Sequence, residues 1–318
     1  MYINKGDKSP RFGFGEGVAE IGKLSQNVVV LGADITSSVG LSSFAEAFPD
    51  RFFSFGIAEQ NIAAVTAGMA LSNKIPVFST YGVFAAIRAA DQIRISICYN
   101  NVKVIIGGAH AGISVGPDGA THQALEDIAY IRSLPNMTLI SPCDANQVKT
   151  ATIEAFKNID GPVYIRFGRE PVPNFTEERQ EFTIGKGQIL RQGTDITIVA
   201  TGNMVWEALQ AAQSLKKQGV DAQVVNIHTI KPIDSDLLIQ AAKKTGAVVT
   251  VEEHQVNGGM GSAVAEVLVR NFPVPMEIIG MPDCFGESGT PLELLQKYGL
   301  NSGNIAQKVF EVYKRKRT

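Results

Sequence analysis

Along the chain, runs of β-branched residues alternate with stretches whose apolar positions recur every three to four residues. Residues 28–31, 75–79, 102–106, 138–141 and 163–166 read as strands, and 60–71, 85–98, 122–132 and 145–156 as the helices between them. The strand runs are rich in β-branched residues and alternate with the helical stretches. Together they predict a mainly parallel sheet flanked by helices.

From 171 to 191 the pattern breaks, with Pro-Val-Pro-Asn-Phe-Thr-Glu-Glu-Arg-Gln at its start, rich in prolines and charges and without apolar period. Strands at 196–200, 222–226 and 247–252 and helices at 206–218, 235–244 and 261–272 then repeat the alternation. The expectation is two α/β domains, residues 1–175 and 192–318, joined by a linker at 176–191. No tandem repeat or low-complexity segment interrupts them.

A length of 318 residues suits two domains that each bury a core. With 45% hydrophobic and 19% charged residues and a net charge of -2, the composition argues against a basic face for nucleic acid and against acidic disorder. A small-molecule substrate is the expected partner. Cys98, Cys143 and Cys284 are odd in number and far apart, which fits neither a disulfide framework nor a zinc spacing and favours a reducing cytoplasm. The first residues lack an apolar leader, and no stretch reaches the about 18–20 apolar residues of a membrane span. The basic end, Lys314-Arg315-Lys316-Arg317, reads as a solvated cap on a helix dipole.

Two segments carry candidate chemistry. Phe53-Ser54-Phe55-Gly56-Ile57-Ala58-Glu59-Gln60-Asn61 runs from a strand end into a helix whose first turn holds an acid. Alone, such a glutamate is a helix cap; followed at once by an apolar helix, it is placed to be partly desolvated, as proton sharing requires. The second segment, residues 107–123, follows a buried-type strand and is rich in glycine, with His110, Asp118 and His122 inside it. Loops after such strands hold ligands in α/β proteins, and two of the four histidines in one of them point to function. His228 and His254 are taken as structural.

Gly56-Ile57-Ala58-Glu59-Gln60-Asn61, the loop end Asp118-Gly119-Ala120-Thr121-His122-Gln123, and Val251-Glu252-Glu253-His254-Gln255-Val256-Asn257-Gly258-Gly259-Met260-Gly261-Ser262 together resemble the C-terminal half of transketolase. Deoxyxylulose-phosphate synthase and the β subunit of 2-oxo-acid dehydrogenases are related families. The likeness spans essentially the whole chain, as a pyrimidine-binding domain and a transketolase C-terminal domain. It implies thiamine diphosphate as cofactor, with Glu59 sharing a proton with N1′ of the aminopyrimidine, and Phe84, Asp34 and Ile57 beside the cofactor. His110, His122 and Asp118 correspond to residues that position substrate hydroxyls and assist proton movement. Arg11, Ser38, His110 and Arg169 correspond to a sugar-phosphate site, where arginine forks meet phosphate oxygens in pairs.

The chain departs from the family pattern at Ala111-Gly112, where many transketolases carry an aspartate after the loop histidine, and at Ile87 and Ala90, which replace aromatics near the pyrimidine. The Gly-Asp-Gly segment that holds magnesium (or calcium) and the diphosphate in the family does not occur in the sequence. The resemblance therefore implies a separate N-terminal subunit that supplies it, self-association of this chain into a dimer core, and a heterotetramer with two of each subunit. Three activities stay open: a transketolase subunit, the β subunit of a 2-oxo-acid dehydrogenase-type enzyme, and a non-catalytic module.

Overall fold

The computed structural model describes residues 2–178 and 180–316. Among them, seven strands form the first sheet, in the spatial order Thr229–Lys231, Thr138–Ile140, Pro162–Arg166, Val104–Ala109, Ile75–Tyr81, Val28–Gly32, Phe52–Ser54. All pair in parallel except Thr229–Lys231, which runs antiparallel to Thr138–Ile140 at one edge. The strands Val28–Gly32, Val104–Ala109 and Pro162–Arg166 are buried along their full length, so helices must cover both faces. A second sheet orders Met276–Met281, Val248–Gln255, Ile196–Ala200, Ala222–Asn226 and Gln188–Arg191, parallel apart from the last. The expected architecture, two mainly parallel sheets flanked by helices, is the one the chain adopts.

Four local expectations change. The helix Pro10–Leu24 has no counterpart in the periodicity, because Gly13, Gly15 and Gly17 read as breakers. In the fold Gly13 and Gly17 allow close approach to the helix Ala145–Asn158, and Gly15 to Gly40: a Cβ on Gly13 would lie 2.0 Å from the Ala145 carbonyl oxygen, and one on Gly17 2.8 Å from Thr152 Cβ. The helix expected at 122–132 starts only at Asp127, since the Ala124 carbonyl is taken by Gly112 N–H and by Arg166. The expected 85–98 helix opens into wide turns, Phe84–Arg88 and Ile93–Tyr99, around Ala90–Gln92, a distortion found often at functional sites. The 171–191 stretch is not wholly irregular, because Gln188–Arg191 gains a strand partner in Ala222–Asn226.

The basic end caps a helix and stays exposed, as expected, while making surface contacts. Lys314, Arg315 and Lys316 form the last turn of the helix Ser302–Lys316; Lys316 Nζ donates to the Asp195 carbonyl at 2.8 Å and Arg315 pairs with Glu277 at 3.1 Å. Arg317 lies outside the described residues.

The sheets are tied together by more than the linker. Thr229–Lys231 leaves the second half of the chain to pair at the edge of the first sheet. Arg166, 5% exposed, bonds Asp127 through Nε at 3.1 and 2.9 Å and, through Nη2, the carbonyls of Ala124 at 3.1 Å and Glu253 at 2.8 Å. Asp127 is fully buried, so removing it strands a guanidinium in the interior. Asp127→Ala is expected to cost about 3–5 kcal/mol in equilibrium denaturation. A loss below about 1 kcal/mol would mean that the pair carries no buried charge to compensate.

Candidate active site

The parallel strands of the first sheet finish on one edge, where open α/β sheets bind their ligands. Asp34 follows Val28–Gly32, Glu59 follows Phe52–Ser54, Phe84 follows Ile75–Tyr81, His110 follows Val104–Ala109, and Arg169 follows Pro162–Arg166. Neighbouring strands are about 4.8 Å apart, so residues distant in sequence meet along this edge.

Glu59 is the first residue of the helix Glu59–Leu71 and is 2% exposed. Its Oε2 accepts from Arg88 Nη1 at 2.9 Å; Oε1 has no hydrogen-bond partner among the described residues. The Arg88 guanidinium lies over the Phe84 ring, 3.8 Å from its centroid. Phe84 in turn meets the His122 ring edge-on at 5.3 Å, and His122 meets Tyr81 at 5.9 Å. Tyr81 stacks on His110 at 4.3 Å, with an 18° angle between the rings. His110 Nε2 and Arg11 Nη1 converge on the Ser38 carbonyl at 2.9 and 3.1 Å. One line of contacts therefore joins Glu59, Phe84, His122, His110, Ser38 and Arg11.

The carbonyl of Ser38 can only accept, which assigns the proton of His110 to Nε2 and leaves Nδ1 as a lone-pair acceptor. That Nδ1 is buried and has no partner among the described residues. Burial pushes the imidazole down to about 4, against the Ser38 bond and with the help of Arg11 and Arg169, so the ring is neutral at pH 7. His110 itself has φ 53°, a left-handed conformation that turns the ring back over Tyr81.

Asp118 ends the 3-10 helix Ile113–Asp118, and its Oδ2 lies 3.3 Å from Arg169 Nη1. The same nitrogen donates to the Val115 carbonyl at 3.3 Å, and Arg169 Nε is 3.3 Å from Glu170 Oε1. Asp34 and Ile57 are not drawn into the line. Asp34 is exposed at φ 63° with its carboxylate unpartnered among the described residues, and Ile57 is 75% exposed. Ile87 is exposed as well, whereas the Ala90 carbonyl accepts from the Tyr130 hydroxyl at 2.7 Å, an aromatic from another helix.

His228 and His254 have interior surroundings. His228 stacks on Phe182 at 4.1 Å; His254 donates from Nδ1 to the Gln255 carbonyl and accepts the Ala129 N–H at Nε2. Two residues of the line, Arg88 and Tyr81, escaped the sequence reading. The signal for Arg88 is its position four residues after Phe84, a spacing that lays a cation on a ring within one turn.

Residues 8–174 match the family model described as the transketolase pyrimidine binding domain, and residues 185–305 match the transketolase C-terminal domain. A solved structure described as a split gene transketolase in an inactive beta4 tetramer superposes with a TM-score of 0.90 at 47% identity, covering 96% of this chain and 98% of that one. The 6-deoxy-6-sulfo-D-fructose transketolase subunit SqwH of Clostridium sp. (strain MSTE9) is 41% identical over 297 residues, 93% of this chain and 92% of that protein. The 1-deoxy-D-xylulose-5-phosphate synthase of Caldanaerobacter subterraneus subsp. tengcongensis is 37% identical over 318 residues, 99% of this chain but 51% of the synthase. This chain thus spans about half the length of that enzyme.

His110, His228 and His254 are each lowered to about 4 by burial, while an unfolded chain protonates its histidines near 6.5. Between these values the unfolded state binds more protons, so these groups destabilise the fold as pH falls from about 6.5 toward 4. Glu252, raised to about 7 by burial, works in the opposite sense. An NMR titration of the imidazoles isolates the histidine contribution: these three rings are expected to stay neutral down to about pH 5. A midpoint near 6.5 for His110 would contradict the buried, Ser38-bonded ring.

Proposed function

The chain belongs to the transketolase family, and from that premise we propose that it is the C-terminal subunit of a thiamine-diphosphate-dependent transketolase. With a separate N-terminal subunit it moves a two-carbon ketol unit from a ketose phosphate to an aldose phosphate. The observation that carries this reading is the Glu59 carboxylate, buried on the ligand edge with one oxygen free.

That oxygen fits an aminopyrimidine nitrogen that must share a proton, and Gly56, at φ 70°, leaves open space beside the helix start. When bound, thiamine diphosphate supplies the electron sink that lets the carbon–carbon bond next to a ketone break. Glu59 holds the proton at N1′, and Phe84 packs beside the ring. Asp34 and Ile57, exposed on the same edge, reach the cofactor only in the assembled enzyme. The magnesium or calcium ion and the diphosphate are assigned to the partner subunit. Support for that partner comes from a relative that is itself named a subunit and from another that is twice as long. Self-association of this chain is supported by the beta4 tetramer of the split-gene relative.

For the sugar phosphate, Arg11, Arg169 and Ser38 take the phosphate end, while Asp118 and His122 face its hydroxyls. His110 is better suited to a hydroxyl than to an ionised phosphate, because its donor nitrogen is spent on Ser38 and its free nitrogen only accepts. The free thiols of Cys98, Cys143 and Cys284 go with a reducing, cytoplasmic setting.

Glu59→Ala, assayed with the N-terminal subunit over a panel of sugar phosphates, is expected to lower ketol transfer at least about 100-fold. Its melting curve should match the wild type, because Arg88 is exposed enough to stay solvated. An unchanged rate sinks the assignment, and transfer by this chain alone removes the need for a partner. Carbon dioxide release from a 2-oxo acid without transfer between sugars would move the chain to the 2-oxo-acid dehydrogenase β subunits.

A further inference from the structure

The loop that carries His110 and Asp118 belongs to the first sheet by sequence but rests on the second. Ile113, fully buried, packs in the apolar cluster that also holds Ile198, Val249 and Leu294. Gln123 Nε2 donates to the Ile113 carbonyl at 3.3 Å and to the Glu287 carbonyl at 2.9 Å. A charged side chain from the strand Val248–Gln255, Glu253, 4% exposed, meets the start of the Ile113–Asp118 helix. Its Oε1 accepts the Ser114 N–H at 2.6 Å, a short bond of the charge-assisted kind, and its Oε2 lies 3.5 Å from Asn203 Nδ2.

We propose that Glu253, although outside the first sheet, is a positioning residue for the substrate: it fixes the loop 110–118 so that His110 and Asp118 stay in register with Arg11 and Arg169. The site of attachment matters. Ser114 stands midway between His110 and Asp118, and Arg169 grips the far end of the same short helix through the Val115 carbonyl and Asp118. The short helix is thus held near its start by Glu253 from the second sheet and at its end by Arg169, which follows a strand of the first. Gly112 makes the grip possible, since at φ 89° it leaves the space where a Cβ would fall 2.3 Å from the Glu253 carboxyl carbon and Oε1. A buried carboxylate is a costly way to join two surfaces, and an apolar contact would hold them as well. What the carboxylate adds is a fixed direction at one backbone N–H.

The kinetic part of the test rests on the proposed function; the exchange part does not. In the full chain, Glu253→Ala is expected to speed hydrogen exchange in peptides covering 110–118 by about tenfold or more, with the strand Ile196–Ala200 unchanged. Glu253→Gln, whose amide oxygen can still accept the Ser114 N–H, should restore slow exchange. In the assembled enzyme, Glu253→Ala should raise KM for xylulose 5-phosphate about tenfold with kcat nearly kept, and Glu253→Gln should recover it. Unchanged exchange at 110–118, equal loosening of both segments, or a loosened loop with unaltered KM each overturns the proposal. If the wild-type pair transfers no ketol unit, the functional reading fails and the exchange result alone decides the grip. If Glu253→Ala does not fold, Gly112→Ala, which pushes a methyl into the carboxylate, replaces it: a loosened 110–118 beside an intact Ile196–Ala200 supports the proposal, and an unchanged loop overturns it.

Discussion

A carboxylate withdrawn from water needs compensation, and the way Glu59 obtains it sets the layout of the ligand edge. The helix it opens contributes unpaired N–H groups at its N-terminus, and Arg88 contributes one hydrogen-bonded charge from a half-exposed position. Only Oε2 is used, so the carboxylate is held in place and still has an oxygen to offer. Because Arg88 also lies on Phe84, the same guanidinium fixes the first ring of the series that leads through His122 and Tyr81 to His110. The carboxylate at one end of the line and the cluster of His110, Ser38 and Arg11 at the other are thereby kept at fixed separation.

The division of labour between the two sheets follows from the same constraint. The first sheet brings five strand ends to one edge, but the loop after Val104–Ala109 is too rich in glycine to hold its own shape. Arg166 spans the gap, bonding Asp127 on one side and the Glu253 carbonyl on the other, and the side chain of Glu253 holds the loop itself. The second sheet thus bears on this loop through backbone position.

Much of this was legible in the sequence, and the reasons for the exceptions are physical. β-Branched strand runs alternating with helical stretches revealed the parallel sheets, and Glu59, His110, Asp118 and His122 stood out because each lies at a strand end or in the loop after one. The helix Pro10–Leu24 was hidden because its glycines serve close packing, Gly13 and Gly17 against Ala145–Asn158, rather than helix propensity. Arg88 and Glu253 were hidden for another reason: an arginine on a helix and a glutamate in a strand acquire their meaning only from partners far away in sequence, Glu59 and Ser114. Asp34 and Ile57 show the converse, since their motif positions are clear while their side chains stand exposed.

In the proposed enzyme, Glu59 meets the aminopyrimidine of a cofactor whose charged end is held by another polypeptide. A structure of the assembled enzyme with thiamine diphosphate measures this directly. The expected result is a Glu59 oxygen about 2.6–3.2 Å from the pyrimidine N1′, with the diphosphate and its metal ion lying against the N-terminal subunit. A cofactor bound wholly within one copy of this chain, or a pyrimidine beyond hydrogen-bonding reach of Glu59, would contradict the account.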